Sequence, residues 1–530
     1  MGIEKQHNSC RSITVFVAWV LLTTFFMSGE GKIENIVDPK NRVILSLQAA
    51  IEEVQKVQAL AVELPDSVTG THESRARQDC LKLFEDTIYR LNSSLNVMKT
   101  SHLEQRSAMA DVHTWVSAAL TNQHMCIGGL SGTIYNREIK NSIILSEVGS
   151  SISLHVSKLK NLIGDSLGLF VNLIASVPPV AGKNRVLLRG RKMGFPEWVS
   201  GEKRRRLFQF SPDVVVAQDG SGNFTTITEA LYSYVLPQGE KTHFVVYVKA
   251  GEYHEKVVIE GFMMNLMLIG DGMNKTVVVG DRCSSVWHSL YASSTFVVWA
   301  NGFVAKDITI ANTAGPKEFQ AVALLIAGDM AVIYRCSIEG YQDTLLLHTN
   351  RQFFRRCHIY GTIDFIFGDS MTVIQKSSIF VRRPLDGQVN TITAQGRTNS
   401  SQSSAIIIHA CNILAAPDFV PMQKQFKTYL GRPWHQFSRT VIMQSSLDQL
   451  IDPAGWLQWD NMVSDLSTVF YGEFMNVGAG ANTSRRVNWP GYHVISDPAE
   501  AEKFSVGKFI SGNSWIPISG VPYNSSLNAF

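Results

Sequence analysis

Five times between residues 336 and 447 the chain repeats one short pattern: a small residue, a polar one, then an aliphatic one. The copies are Cys336-Ser337-Ile338, Cys357-His358-Ile359, Ser377-Ser378-Ile379, Cys411-Asn412-Ile413 and Ser445-Ser446-Leu447. Their first members lie 21, 20, 34 and 34 residues apart. A period near 20 residues, with insertions in some turns, is the spacing of a β-solenoid whose coils stack on one another. Short β-rich runs broken by Gly and Asn fill the region: His243–Val248, Lys256–Ile259, Thr276–Val279, Phe303–Ile310, Val332–Ile338, Phe353–Ile359, Thr372–Val381, Ala405–Ile413 and Thr440–Leu447. No helical segment long enough for a βαβ crossover separates them. Short strands alone also fit a β-sandwich; the repeat is what favours the solenoid.

The first part of the chain follows a different period. Ile44, Leu47, Ile51 and Val54 mark one amphipathic helix, Cys80, Leu83, Thr87, Leu91 and Leu95 a second, and Leu145, Val148, Ile152, Val156 and Leu159 a third. Gly and Pro are sparse between Arg42 and Phe170, so residues 40–175 predict a small antiparallel helical bundle. Ahead of it, Lys5 and Arg11 precede an apolar run from Ile13 to Met27, closed by Ser28, Gly29 and Glu30. That is the form of a secretory leader over residues 1–29; a membrane anchor would want a longer run. Six N-x-S/T sequons, at Asn92, Asn223, Asn274, Asn399, Asn482 and Asn524, suit a secreted, extracellular protein. Residues 176–206 turn loop-like and basic, ending in Lys203-Arg204-Arg205-Arg206. Such a run is commonly just solvated; at a junction between two domains of a secreted chain a processing site fits better. From Leu207 on, 23 Lys and Arg face 26 Asp and Glu, a mildly acidic balance that argues against nucleic-acid binding. No C-x-x-C cluster suggests zinc among the seven cysteines.

The repeat also aligns two acids. Asp343 lies seven residues after Cys336, and Asp364 seven after Cys357. On consecutive coils they would stand about 4.8 Å apart, too close for both to ionise freely. One carboxylate and one carboxylic acid is the division of labour that ester or glycoside cleavage needs. Two surface turn aspartates could share an offset by chance, but Ile363, Phe365, Ile366 and Phe367 around Asp364 make a poor solvated loop. The same register puts Cys336 and Cys357 on adjacent coils, with Cα atoms close enough for a disulfide.

Five segments in order, Gly251-Glu-Tyr-His-Glu255, Gln320-Ala-Val-Ala-Leu324, Gly340-Tyr-Gln-Asp-Thr-Leu345, Gly361-Thr-Ile-Asp-Phe-Ile-Phe-Gly368 and Leu430-Gly-Arg-Pro-Trp434, resemble those of pectin methylesterases. The resemblance implies a right-handed parallel β-helix over residues 207–530 acting on methyl-esterified pectin as a monomer, with no metal or organic cofactor. By motif position Asp364 would be the nucleophile and Asp343 the proton donor and base. Gln320 and Gln342 would hold the oxyanion, and Arg432 would pair with Asp364. Trp434, Phe367, Trp456 and Trp287 would face the sugars.

The first part, through Arg77-Gln-Asp-Cys80 and Thr114-Trp-Val-Ser-Ala-Ala-Leu120 to Cys126, resembles the inhibitor domain that precedes many plant enzymes of this kind. That implies a Cys80–Cys126 disulfide and cleavage by a subtilase-type protease at Arg204, Arg205 and Arg206. It also implies partners among proteinaceous inhibitors and the chain's own helical domain. Three departures stand out. The family's extra cysteine pair is missing between Gly29 and Asp79, so the helical domain reads as truncated. Leu290 and Leu346 replace a substrate-binding Thr and a cleft Tyr, and Ser377 takes a cysteine position opposite Cys411. Another solenoid enzyme of the same polymer, a polygalacturonase or pectate lyase, would want more clustered acids and would not need the two glutamines.

Overall fold

The computed structural model describes residues 38–63, 72–130, 147–177, 211–239, 241–459 and 463–527. The expected leader and the basic triplet Arg204, Arg205 and Arg206 lie outside them. Among the described residues four helices form the bundle: α1 (Pro39–Glu63), α2 (His72–Thr100), α3 (Arg106–Leu130) and α4 (Glu147–Ser176). A disulfide between Cys80 and Cys126 ties α2 to α3, with Cα atoms 4.9 Å apart. Helix α3 carries no amphipathic signature in the sequence, for a reason visible here. Val116 to Gln123 are buried without a break, because one side of α3 packs into the bundle and the other onto the second domain. A helix buried all round shows no 3.6-residue stripe.

Among the described residues, the strands between Val214 and Val494 form a parallel β-helix of three sheets, with 11, 7 and 8 strands. Each coil gives one strand to each sheet, as in Arg351–Arg355, His358–Gly361 and Ile363–Gly368. The apolar runs of the sequence mostly span two strands rather than one. Val332–Ile338, for example, divides into Ala331–Tyr334 and Ser337–Glu339. The bend sits on the residue just before each triplet. Arg335, Arg356, Lys376, Ala410 and Gln444 all have φ between 50° and 54°, in the left-handed region. The repeated small–polar–aliphatic triplet is the exit from that corner: its first side chain turns inward and its third packs in the interior with Ile338, Ile359, Ile379, Ile413 and Leu447.

The register is as expected, but the disulfide drawn from it is not. Ser337 pairs with His358, which sets Cys336 beside Cys357, yet both thiols are free and buried. In-register side chains on parallel strands point the same way, so their Cβ atoms keep the strand spacing of about 4.8 Å. A disulfide needs them to converge to about 3.8 Å. The sulfurs bond to carbonyls instead, Cys336 to Tyr334 and Cys357 to Ile333 and Arg355. Burial pushes the Cys357 thiol up to about 12. The serines in the ladder serve it differently: Ser377 Oγ accepts the N–H of Cys357, and Ser445 Oγ that of Cys411.

The sheet that matters for chemistry has seven strands in spatial order: β1 (Val257–Ile259), β2 (Phe296–Val298), β3 (Leu324–Ile326), β4 (Leu345–Leu347), β5 (Ile363–Gly368), β6 (Asn390–Gln395) and β7 (Thr428–Gly431).

Candidate active site

Leu345 of β4 pairs with Ile366 of β5, so two residues upstream Asp343 stands beside Asp364. Both aspartates occupy left-handed backbone, with φ of 60° and 50°. Asp tolerates this conformation better than most residues, and the same left-handed angle recurs at the corners of the coils. The turn into β5 is tight: a Cβ on Gly361 would come within 2.2 Å of the Phe365 side chain, so only glycine fits there. Asp343 donates its N–H to the Ile363 carbonyl, and Gln320 and Gln342 form a parallel bridge one step away. Ser284 Oγ donates to Gln320 Oε1 at 2.9 Å and anchors that amide.

The two acids are held unequally. Asp364 accepts from Arg432 through both oxygens, Nε to Oδ1 at 2.8 Å and Nη2 to Oδ2 at 2.6 Å. Thr391 Oγ1 donates to the same Oδ1 at 2.6 Å and accepts the Asp364 N–H. A bidentate, charge-assisted pair of this kind favours the ionised carboxylate. Asp343 is 6% exposed, and burial, then the neighbouring Asp364, push its carboxyl well above the usual range, against a smaller pull from Arg432. The site therefore sets an aspartate clamped by a guanidinium beside one whose burial favours its protonated form. Among the described residues no group of three His, Cys, Asp or Glu side chains forms a metal cage.

The expected aromatics divide. Phe367 on β5 and Trp434 after β7 lie together, ring centres 6.0 Å apart. Trp287 is between Arg282 and Arg75 of α2, 4.1 and 5.3 Å from its ring centre. Trp456 is a correction. It is 1% exposed, packs edge-on against Tyr471 inside the β-helix and donates Nε1–H to Glu473. Its apolar surroundings make it core. Three residues on, Trp459 takes the place by the site, with the Arg432 guanidinium 3.8 Å above its ring. The motif Pro453-Ala-Gly-Trp456 drew attention to the wrong indole; Trp459 lies in the same short segment.

The helical domain rests on this same sheet. An apolar cluster joins Val116 and Met125 of α3 and Leu159 and Leu167 of α4 to Leu290, Leu325, Leu346 and Phe367. Leu290 and Leu346 are 2% and 0% exposed. Polar ties surround the cluster. Ser289 donates to Asp79, Asn122 bonds to His348, Thr121 donates to Asp369, and Arg351 bridges Asp111 and Asp329. His124 of α3 meets His435 at 2.8 Å, with Lys160 of α4 3.3 Å behind it.

Comparison with known proteins agrees with this architecture. Residues 213–513 match the family model described as pectinesterase, and residues 28–167 the model described as plant invertase/pectin methylesterase inhibitor. The chain is 40% identical to pectinesterase 2 of Citrus sinensis over 95% of its own length and 92% of that protein. It is 41% identical to a probable pectinesterase/pectinesterase inhibitor 36 of Arabidopsis thaliana, covering 90% and 92%. Among solved structures, pectin methylesterase from carrot matches with 45% identity and a TM-score of 0.58, covering 60% of this chain and 99% of that one. The match thus takes in nearly all of the carrot chain and a little over half of this one. A pectinesterase model matched over more than half of the chain, and 40% identity to a pectinesterase along nearly its whole length, place the chain in the pectinesterase family of carboxylic ester hydrolases.

Proposed function

We infer that the protein hydrolyses the methyl esters of homogalacturonan, giving pectate and methanol, with Asp364 as nucleophile. The observation that carries this reading is the unequal holding of the two aspartates, one clamped by Arg432 and one buried with its carboxyl raised. An Asp364 oxygen attacks the ester carbonyl carbon, and the electron pair moves to the carbonyl oxygen. The side-chain N–H groups of Gln320 and Gln342 stabilise that oxyanion, a contribution of about 3 kcal/mol per donor. As the intermediate collapses, the C–O bond to methoxide breaks and Asp343 supplies the proton that makes methanol. Asp343, now a carboxylate, takes a proton from water, whose oxygen attacks the acyl–Asp364 anhydride and frees the uronate. Phe367 and Trp434 offer flat apolar faces to sugar rings, and Leu290 and Leu346 remove hydroxyls from the cleft.

A polymer cannot reach Phe367 with α3 and α4 in place, so the intact chain is a covered form. Secretion to the cell wall and cleavage after Arg206 by a subtilase-type protease would free the cleft. Proteinaceous inhibitors would compete for the same face. The direct test is methanol release from methylated pectin by residues 207–530, with the full chain alongside. Methanol from the former and much less from the latter is expected; pectin cleavage without methanol would assign a different reaction.

A further inference from the structure

We propose that Trp459 is a positioning residue for this reaction, holding the Arg432 guanidinium at the angle from which both of its N–H forks reach Asp364. The inference rests on the reading that Asp364 is the nucleophile. A guanidinium can be fixed by its edge, its face or both. The edge of Arg432 is spent on the two oxygens of Asp364. Its face lies 3.8 Å from the centre of the Trp459 ring, van der Waals contact, so the planar cation must lie over the indole. Rotation about the end of the arginine chain would break both contacts together.

The indole is itself placed by backbone on the next coil. Gly431 bridges Trp456, Leu457 donates its N–H to Gly431, and Leu430 donates to Gly455. Trp459 therefore hangs from a segment hydrogen-bonded on both sides of the residue that precedes Arg432. Elsewhere it packs against the apolar cluster shared with the helical domain. The face toward Arg432 is already occupied. Covering that face also excludes water, which strengthens the ion pair in front of the nucleophile.

The roles separate kinetically. A sugar platform acts on KM, a filler acts on stability, and a residue that orients Arg432 acts on kcat and on the acid limb of the pH profile, where the nucleophile must be ionised. Trp459→Leu and Trp459→Phe are to be compared in residues 207–530, the part that corresponds to the whole carrot protein. Leu should lower kcat roughly 10- to 30-fold with little change in KM. It should also move the acid limb toward neutral pH. Phe, which keeps a π face, should recover most of both. A raised KM with unchanged kcat, or a lower melting temperature with an unmoved acid limb, would overturn the assignment. If the unaltered protein releases no methanol, the nucleophile reading fails as well.

Discussion

The β-helix and the helical bundle solve opposite problems. In the β-helix each residue's place is dictated by the coil below, so chemistry arises from vertical coincidence: Asp343 over Asp364, Gln320 over Gln342. In the bundle no such lattice exists, and α3 gains its meaning from what it covers. Its burial on two sides is the mark of a helix selected for a docked partner as well as for its own core. A solenoid therefore announces its site through repeats, whereas a covering domain announces itself only when the covered surface is known.

The aspartates carry the largest expected effect. Asp364→Asn should lower methanol release by on the order of 10³-fold or more, since an amide cannot attack. Asp343→Asn should cost about 10²- to 10³-fold by removing the proton donor. Neither should move the thermal transition of the bundle; steady-state rates and calorimetry check both. Because the first step needs Asp343 protonated and burial raises its carboxyl, activity should be present below its raised pKa and fall as pH rises through it.

The bundle is tested through its staple. Cys80→Ser with Cys126→Ser opens a loop spanning 46 residues, which chain-entropy reasoning puts at about 4 kcal/mol. The helical domain should melt earlier, and the full chain should gain methanol-releasing activity, while residues 207–530 remain unaffected. A doubly substituted chain that stays as inactive as the original would show that docking, rather than the disulfide, orders the bundle.

Titration sharpens the interface itself. Burial, then Lys160, lower His124 to about 4, so it docks neutral. Its contribution to docking is full above about pH 6.5 and is lost as pH falls toward 4. Asp79 has the opposite sign: burial raises it to about 7, so docking weakens as pH rises from 4 toward 7. At pH 4.5, the helical domain with His124→Gln should bind the β-helix on the order of 50-fold more tightly than the unaltered domain does, with little change at pH 7.5. Asp79→Asn should remove part of the loss at neutral pH. Gel filtration after cleavage of the linker, at the two pH values, reads both.

The smallest effect concerns the cysteine ladder. Cys336, Cys357 and Cys411 should all react with a thiol reagent once the unreduced protein is denatured. Ser377→Ala, which removes the acceptor of the Cys357 N–H, should cost about 1 kcal/mol without touching activity. A mapped Cys336–Cys357 disulfide would show that adjacent coils can converge locally.

The solenoid and its register are legible in the residues alone. A side chain that must turn inward at every corner leaves a small residue at a fixed interval, and that interval carries Asp343 and Asp364 into line. The sequence also showed where the helices begin to matter, through the apolar stripes of α1, α2 and α4. It did not show that the apolar runs bend, because hydrophobic residues continue through a corner made by the backbone angle of Arg335 or Arg356. Nor could it show which indole reaches Arg432, because Trp456 and Trp459 differ only in the direction each takes from one segment. That Leu290 and Leu346 lie under the helical domain is a matter of tertiary packing, because burial of that kind comes from a surface more than 100 residues away in the chain. Periodicity records contacts between neighbours in a stack; contacts between domains leave no period to read.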